Sequence, residues 1–158
     1  MSSWLTRVCF ASGRVNGRRC LPLRCRFPAS AGHHELRLLS PSPEAPRDLS
    51  VVAGSGLTAP YVDGLRGSLA AVEHPSYVTV LANNDTVFSD AAYSVVRSVS
   101  YGTGILGRVA GVPGVSGFQG GPALAALMRS PAGLCSMSTT TAPLGALYIA
   151  GAVPGRQW

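Results

Sequence analysis

The chain contains no lysine, so all 13 of its basic residues are arginine, and only 7 residues are acidic. Without lysine there is no phosphate-binding loop of the kind that ends in Gly-Lys-Ser/Thr. Aromatic residues are scarce at 7%, and charged residues reach 13% against the roughly 25% of an ordinary soluble surface. Cysteine occurs at 9, 20, 25 and 135. Removal of the first three with a leader leaves Cys135 alone, which argues against a disulfide scaffold. What the chain has in abundance is glycine (19) and proline (12). Both raise the conformational cost of folding or interrupt regular elements, so the composition predicts a small, loop-rich domain. The sparse charge leaves two readings, a surface that does not all face water and a reading frame whose product folds poorly.

The positive charge is unevenly placed. Arg7, Arg14, Arg18, Arg19, Arg24 and Arg26 precede the first acid, Glu35. Trp4, Leu5 and Val8 fall on one side of a helix, with Thr6 and Arg7 on the other. An arginine-rich, serine-containing, acid-free amphipathic start is the composition of an organellar transit peptide. A negative-inside potential draws such a segment inward, and carboxylates would oppose it. The six arginines are therefore the candidate targeting residues of a leader spanning 1–34, and the expected location is mitochondrial. No uninterrupted apolar run follows the first arginine, which excludes a secretory signal. A basic tail that binds nucleic acid by counterion release is the alternative. Cys20, Cys25, His33 and His34 do not match zinc-ligand spacings, because adjacent histidines point in different directions.

Residues 35–57 read as a Pro/Ser-rich linker, since each proline at 41, 43 and 46 pushes its predecessor toward extended backbone. Residues 58–100 hold the most protein-like pattern. Val62, Leu65, Leu69 and Val72 recur at helical spacing. Tyr77 to Leu81 is β-branched and aromatic, Asn83-Asn84-Asp85 is turn chemistry, and Thr86-Val87-Phe88 completes a hairpin. Ala92, Val95, Val96 and Val99 predict a second helix capped by Ser89 or Asp90. The expected fold class is mainly α with a short β-hairpin, an irregular N-terminal third and a low-order Gly/Ala/Pro-rich C-terminal third.

Leu65 and Leu69, then His74-Pro75-Ser76-Tyr77, then Leu81 and Asn83 resemble the helical N-terminal part of the oligomycin-sensitivity (delta-type) subunit of F-type ATP synthases. The resemblance implies helices over this stretch. The family's Asn-Pro is Asn83-Asn84 here and nothing after Ser100 follows its pattern, so a stalk function lacks support.

Chemistry is hard to find. Beyond the leader, His74 is the single histidine, and no carboxylates in 58–100 lie at helical i, i+4 spacing. Gly54-Ser55-Gly56 is not the G-x-S-x-G of a nucleophile elbow. Gly102 to Gly107 has the G-x-G-x-x-G spacing of a dinucleotide loop, but Gly111 and Pro113 would cut short the helix it needs, and no acid follows. Asn84-Asp85-Thr86 is a glycosylation sequon, meaningful only on a secretory route. The sequence thus predicts no enzyme, no cofactor, no metal and no small-molecule substrate.

No acid occurs between Asp90 and Trp158. Two uncharged stretches, 109–128 and 130–155, reach the roughly 20 residues of a membrane span. Prolines, glycines and the serine-threonine run 136–141 interrupt them. The tail 101–158 is therefore expected to associate with a membrane or a membrane complex. The functional expectation is a small non-enzymatic mitochondrial accessory protein. An arginine-dependent nucleic-acid-associated protein and the product of a poorly folding frame are the alternatives.

Overall fold

The computed structural model describes residues 35–39, 49–57, 60–139 and 142–151, together with the backbone of two short strands, β1 (Arg14–Val15) and β2 (Arg18–Arg19), which pair antiparallel. The remaining elements are β3 (Leu36–Leu39), β4 (Leu49–Ala53), β5 (Pro75–Val80), β6 (Thr86–Asp90), β7 (Val95–Val99), β8 (Leu106–Ala110), β9 (Pro131–Thr139) and β10 (Ala142–Gly151). A single 3₁₀ turn at Gly67–Leu69 is the one helical element among the described residues.

Strands β5 to β8 form a four-stranded antiparallel meander in sequence order. The β5–β6 turn carries Asn84 at φ 67°, a left-handed conformation that asparagine tolerates better than most residues. Asp85 accepts the Asn83 side-chain amide at 2.8 Å, and its own backbone N–H donates to Asn83 Oδ1 at 3.2 Å. Both faces of this sheet are covered. On one face Phe88, Val99, Leu106 and Val78 pack with Leu36 and Ala53 of the β3–β4 pair and with Ala70 and Val72. On the other, Val87, Val96 and Ala110 meet Leu134, Leu147 and Ile149 of the β9–β10 pair. Hydrogen bonds reinforce the second contact: the Thr79 and Ser136 hydroxyls lie 2.8 Å apart, and Ser136 donates to the Val80 carbonyl at 3.1 Å. The result is a complete sheet between two half-sheets.

The half-sheets repeat the registers of the central one. In β5–β6, Pro75 faces Asp90, Val78 faces Phe88, Thr79 faces Val87 and Val80 faces Thr86. In β9–β10, Pro131 faces Gly151, Leu134 faces Ile149, Cys135 faces Tyr148 and Ser136 faces Leu147. Each pairing carries an irregularity just after its proline. In β7–β8, Val96 faces Ala110, a shift follows, and Arg97 faces Arg108. In β3–β4, Leu36 faces Ala53, a shift follows, and Arg37 faces Val51. Connections repeat as well. Gly54 N–H donates to the Gly67 carbonyl, and Gly111 N–H donates to the Ala123 carbonyl, each at 2.9 Å. Thus β3–β4 is the second half of one unit, β5–β8 is a whole unit, and β9–β10 is the first half of the next.

These strands overturn the mainly α expectation. Val62, Leu65, Leu69 and Val72 do not line a helix. Their segment spends its hydrogen bonds elsewhere: Gly64 N–H on the Leu106 carbonyl and Gly67 N–H on the Gly104 carbonyl, both at 2.8 Å. Gly64 at φ 85° is incompatible with a right-handed helix. Leu65 and Leu69, which carry the resemblance to the ATP-synthase subunit, are exposed. Its helical implication fails here, and Tyr77 lies in strand β5. The second expected helix is also absent. Val95, Val96 and Val99 lie on β7, and Ala92 sits in the preceding turn. Nor is the C-terminal third of low order, since it carries β8, β9 and β10. The stretch expected as a linker holds β3 and β4.

Candidate functional site

The central sheet buries a cation. Arg97 lies on β7 opposite Phe88 of β6, and its side chain is 0% exposed. An unpaired charge so far from water would cost several kcal/mol, so its partners determine whether the site is tolerable. The guanidinium reaches across to the chain between β4 and β5. Nη1 donates to the Ala71 carbonyl at 2.7 Å, and Nη2 to the Val62 carbonyl at 2.6 Å and to Asp63 Oδ1 at 3.2 Å. The Asp90 carboxylate, also 0% exposed, lies 3.8 Å from Nη1. The Tyr61 ring covers the guanidinium, its centroid 4.4 Å from Cζ. Among the described residues Nε has no hydrogen-bond partner.

Asp90 is held by two backbone donors, the N–H groups of Glu73 at 3.2 Å and His74 at 3.1 Å. Burial nevertheless outweighs these donors and Arg97, and pushes its carboxyl above the ordinary aspartate range. Tyr61 donates to Asp63 Oδ2 at 2.8 Å and meets Tyr93 edge-on, with ring centroids 5.2 Å apart and planes at 70°. Burial raises both phenols above their ordinary value, that of Tyr61 strongly. The Asp63 hydrogen bond adds to the effect at Tyr61, as Glu73 does at Tyr93.

One side chain therefore gathers two carbonyls, two carboxylates and an aromatic face from the β4–β5 connection and from β6. The arrangement clamps that connection onto the sheet. With no surface in contact with water, the guanidinium is placed to hold chain segments together rather than to meet a ligand. Among the described residues no group of three His, Cys, Asp or Glu side chains is placed to hold a metal ion.

Of the residues singled out from sequence, the structure sets Arg14 opposite Arg19 in the β1–β2 pairing. Of the targeting arginines, Arg7, Arg24 and Arg26 lie outside the described residues. Arg14, Arg18 and Arg19 are described only as backbone of β1 and β2. Cys20, Cys25, His33 and His34 also lie outside. Gly102 to Gly107 forms the tight connection from β7 into β8, with Gly104 at φ 68°; a strand follows where a dinucleotide site needs a helix. His74 is exposed at the entrance to β5. Of the two uncharged stretches, 109–128 holds the end of β8 and a long connection, and 130–155 holds β9 and β10. No helix among the described residues is long and apolar enough to cross a membrane. Sequence reasoning missed Arg97 and Asp90 as a buried pair, because nothing local distinguishes a buried arginine from a solvated one.

No protein-family model and no curated protein matches the sequence. Among solved structures, the fold is similar to that of a structural genomics protein of unknown function from Bacteroides thetaiotaomicron VPI-5482, with a TM-score of 0.63 at 20% identity. The match covers 82% of this chain and 30% of that one, so the chain spans less than a third of its length. At this identity the likeness concerns the fold.

Proposed function

We propose that the chain is a non-enzymatic structural module built on a radially repeated β-sheet, and that it serves as an accessory component in mitochondria. One observation carries the structural part: a complete four-stranded meander stands between two half-sheets with its own registers. Four-stranded sheets repeated face to face are the blades of propeller-like architectures, in which side chains between blades make the core. A module of this kind presents rims and loops to partners. Here the β8–β9 connection supplies exposed Val115, Phe118 and Leu124, on a tail without a single acid. That favours contact with an apolar or anionic surface of a membrane complex. The buried side chains Arg97 and Asp90 hydrogen-bond the β4–β5 connection, which supports a structural role for them.

The location rests on the arginine-rich, acid-free start, which supports import. The test is imaging of C-terminal fluorescent fusions of the full chain and of a chain lacking residues 1–34. Mitochondrial signal that depends on those residues is expected. Equal cytosolic signal from both sinks the localisation. Cosedimentation of the full-length fusion with carbonate-washed membranes, lost when Val115, Phe118 and Leu124 are replaced by serine, tests the docking part.

A further inference from the structure

We infer that two copies of this chain complete each other's half-sheets, with β10 of one pairing antiparallel to β3 of the next. The inference rests on the blade-like reading above and names the partner of its open edges. In the central unit β6 is bonded on both sides, by β5 and by β7. Its counterpart β10 is bonded on one side only, by β9, among the described residues. Likewise β7 is bonded by β6 and β8, whereas among the described residues its counterpart β3 is bonded by β4 alone. The two missing neighbours are each other's kind: β10 lacks a β7-like strand, and β3 lacks a β6-like strand. The outer edges of β9 and β4 lack nothing, because their counterparts β5 and β8 are edges of the complete sheet too.

The register follows from the β6–β7 pairing, where Thr86 faces Val99, Phe88 faces Arg97 and Asp90 faces Val95. Transferred through the repeat, Leu147 faces Leu39, Ile149 faces Arg37 and Gly151 faces Glu35 of the next copy. Burial supports the need. Val87 and Phe88 of β6 are 0% exposed, whereas Tyr148, the counterpart of Val87, is 56% exposed. Arg37 occupies the position of Arg97. It arrives with its own counter-charge, because Glu35 Oε2 lies 2.6 Å from its Nη2. The ion pair lets this arginine enter an interface where Gly151 replaces Asp90. Open edges of this sort are ready templates for added strands, and the contact is head-to-tail, so it either closes into a ring or runs on as a filament. The described residues bring one whole and two half units, and a ring of ordinary propeller size built from these units alone takes roughly two to four copies.

Two experiments test this on the full chain. Sedimentation velocity across a concentration series should show closed multiples of the 16.3 kDa chain. A monomer at every concentration, with a strand-rich circular dichroism spectrum, overturns the inference while leaving the blade-like reading standing. A spectrum without strand content defeats that reading itself. The second experiment fixes the route of association. In a chain whose four cysteines are replaced by serine, Leu39→Cys with Leu147→Cys should form an interchain disulfide on mild oxidation. Leu38→Cys with Leu147→Cys should not, because a one-residue slip turns the side chain to the opposite face. Equal cross-linking by both pairs overturns the register.

Discussion

Truncating the buried arginine is the most demanding test of the clamp. Arg97→Ala removes the guanidinium donors to the Ala71 and Val62 carbonyls and leaves the 0%-exposed Asp90 carboxylate without its nearby cation. Breaking one partner out of a buried pair costs about 3–5 kcal/mol, because the other charge remains in a poorly polarisable site. The Ala71 carbonyl, left in the buried interior without its guanidinium donor, adds on the order of 1 kcal/mol or more, although the terms overlap. The expected loss is therefore roughly 3–5 kcal/mol, a large part of the 5–15 kcal/mol that holds a typical domain together. Urea unfolding followed by far-ultraviolet circular dichroism measures it. The double variant Arg97→Met with Asp90→Asn should recover only the part of the loss that comes from the uncompensated carboxylate, since an amide oxygen at 90 still accepts from the Glu73 and His74 N–H groups while the Ala71 carbonyl stays without its guanidinium donor. A loss below about 1 kcal/mol for Arg97→Ala refutes the clamp, because only a solvated arginine is so cheaply removed.

Other perturbations follow from the same packing. Asp90 has a carboxyl raised by burial, so its charged form opposes folding. The stability of the native chain relative to Asp90→Asn should be most favourable at acidic pH and fall as pH rises past the ordinary aspartate value. A difference that grows with pH across that window contradicts the assignment. Gly111→Ala should destabilise by about 1–3 kcal/mol, because a Cβ there would stand 2.7 Å from the Ser94 carbonyl and 2.8 Å from Met128 Cε at φ 96°. Thermal unfolding checks it, and an unchanged melting temperature counts against the close approach of that turn to β7. Phe88→Ala should cost about 3–5 kcal/mol in chemical denaturation, since its ring is fully buried in the core shared with β3–β4.

The β5–β6 hairpin was legible because two signals agree there: β-branched and aromatic residues on both arms and an Asn-Asn-Asp turn between them. Strand β7 was not. Sandwiched between two layers, it buries Val95, Val96, Arg97 and Val99, so its apolar residues run together and lose the alternation that marks a half-exposed strand. The same residues then satisfy helical spacing. The segment 60–73 misled for another reason, since its apolar spacing is helical while its backbone bonds go to the β7–β8 hairpin. The repeat did leave a trace. Val52-Ala53-Gly54 recurs as Val109-Ala110-Gly111, and Ala70 with Pro75 recurs as Ala126 with Pro131. Comparing the chain with itself at that offset would have found it. The candidate targeting arginines belong to a stretch read as a leader from its charge, serine content and amphipathic spacing, and the imaging test decides their role.

The aromatic lid over Arg97 has an optical consequence. Trp4 and Trp158 both lie outside the described residues, and the aromatic rings at the clamp are tyrosines. Tyr61, whose ring covers Arg97, holds its phenolic proton far into alkaline solution, and Tyr93, edge-on to it, is shifted in the same direction. Phenolate absorbance from this pair would then appear as the clamp lets go, making two native chromophores the natural gauge of when the interior opens to base.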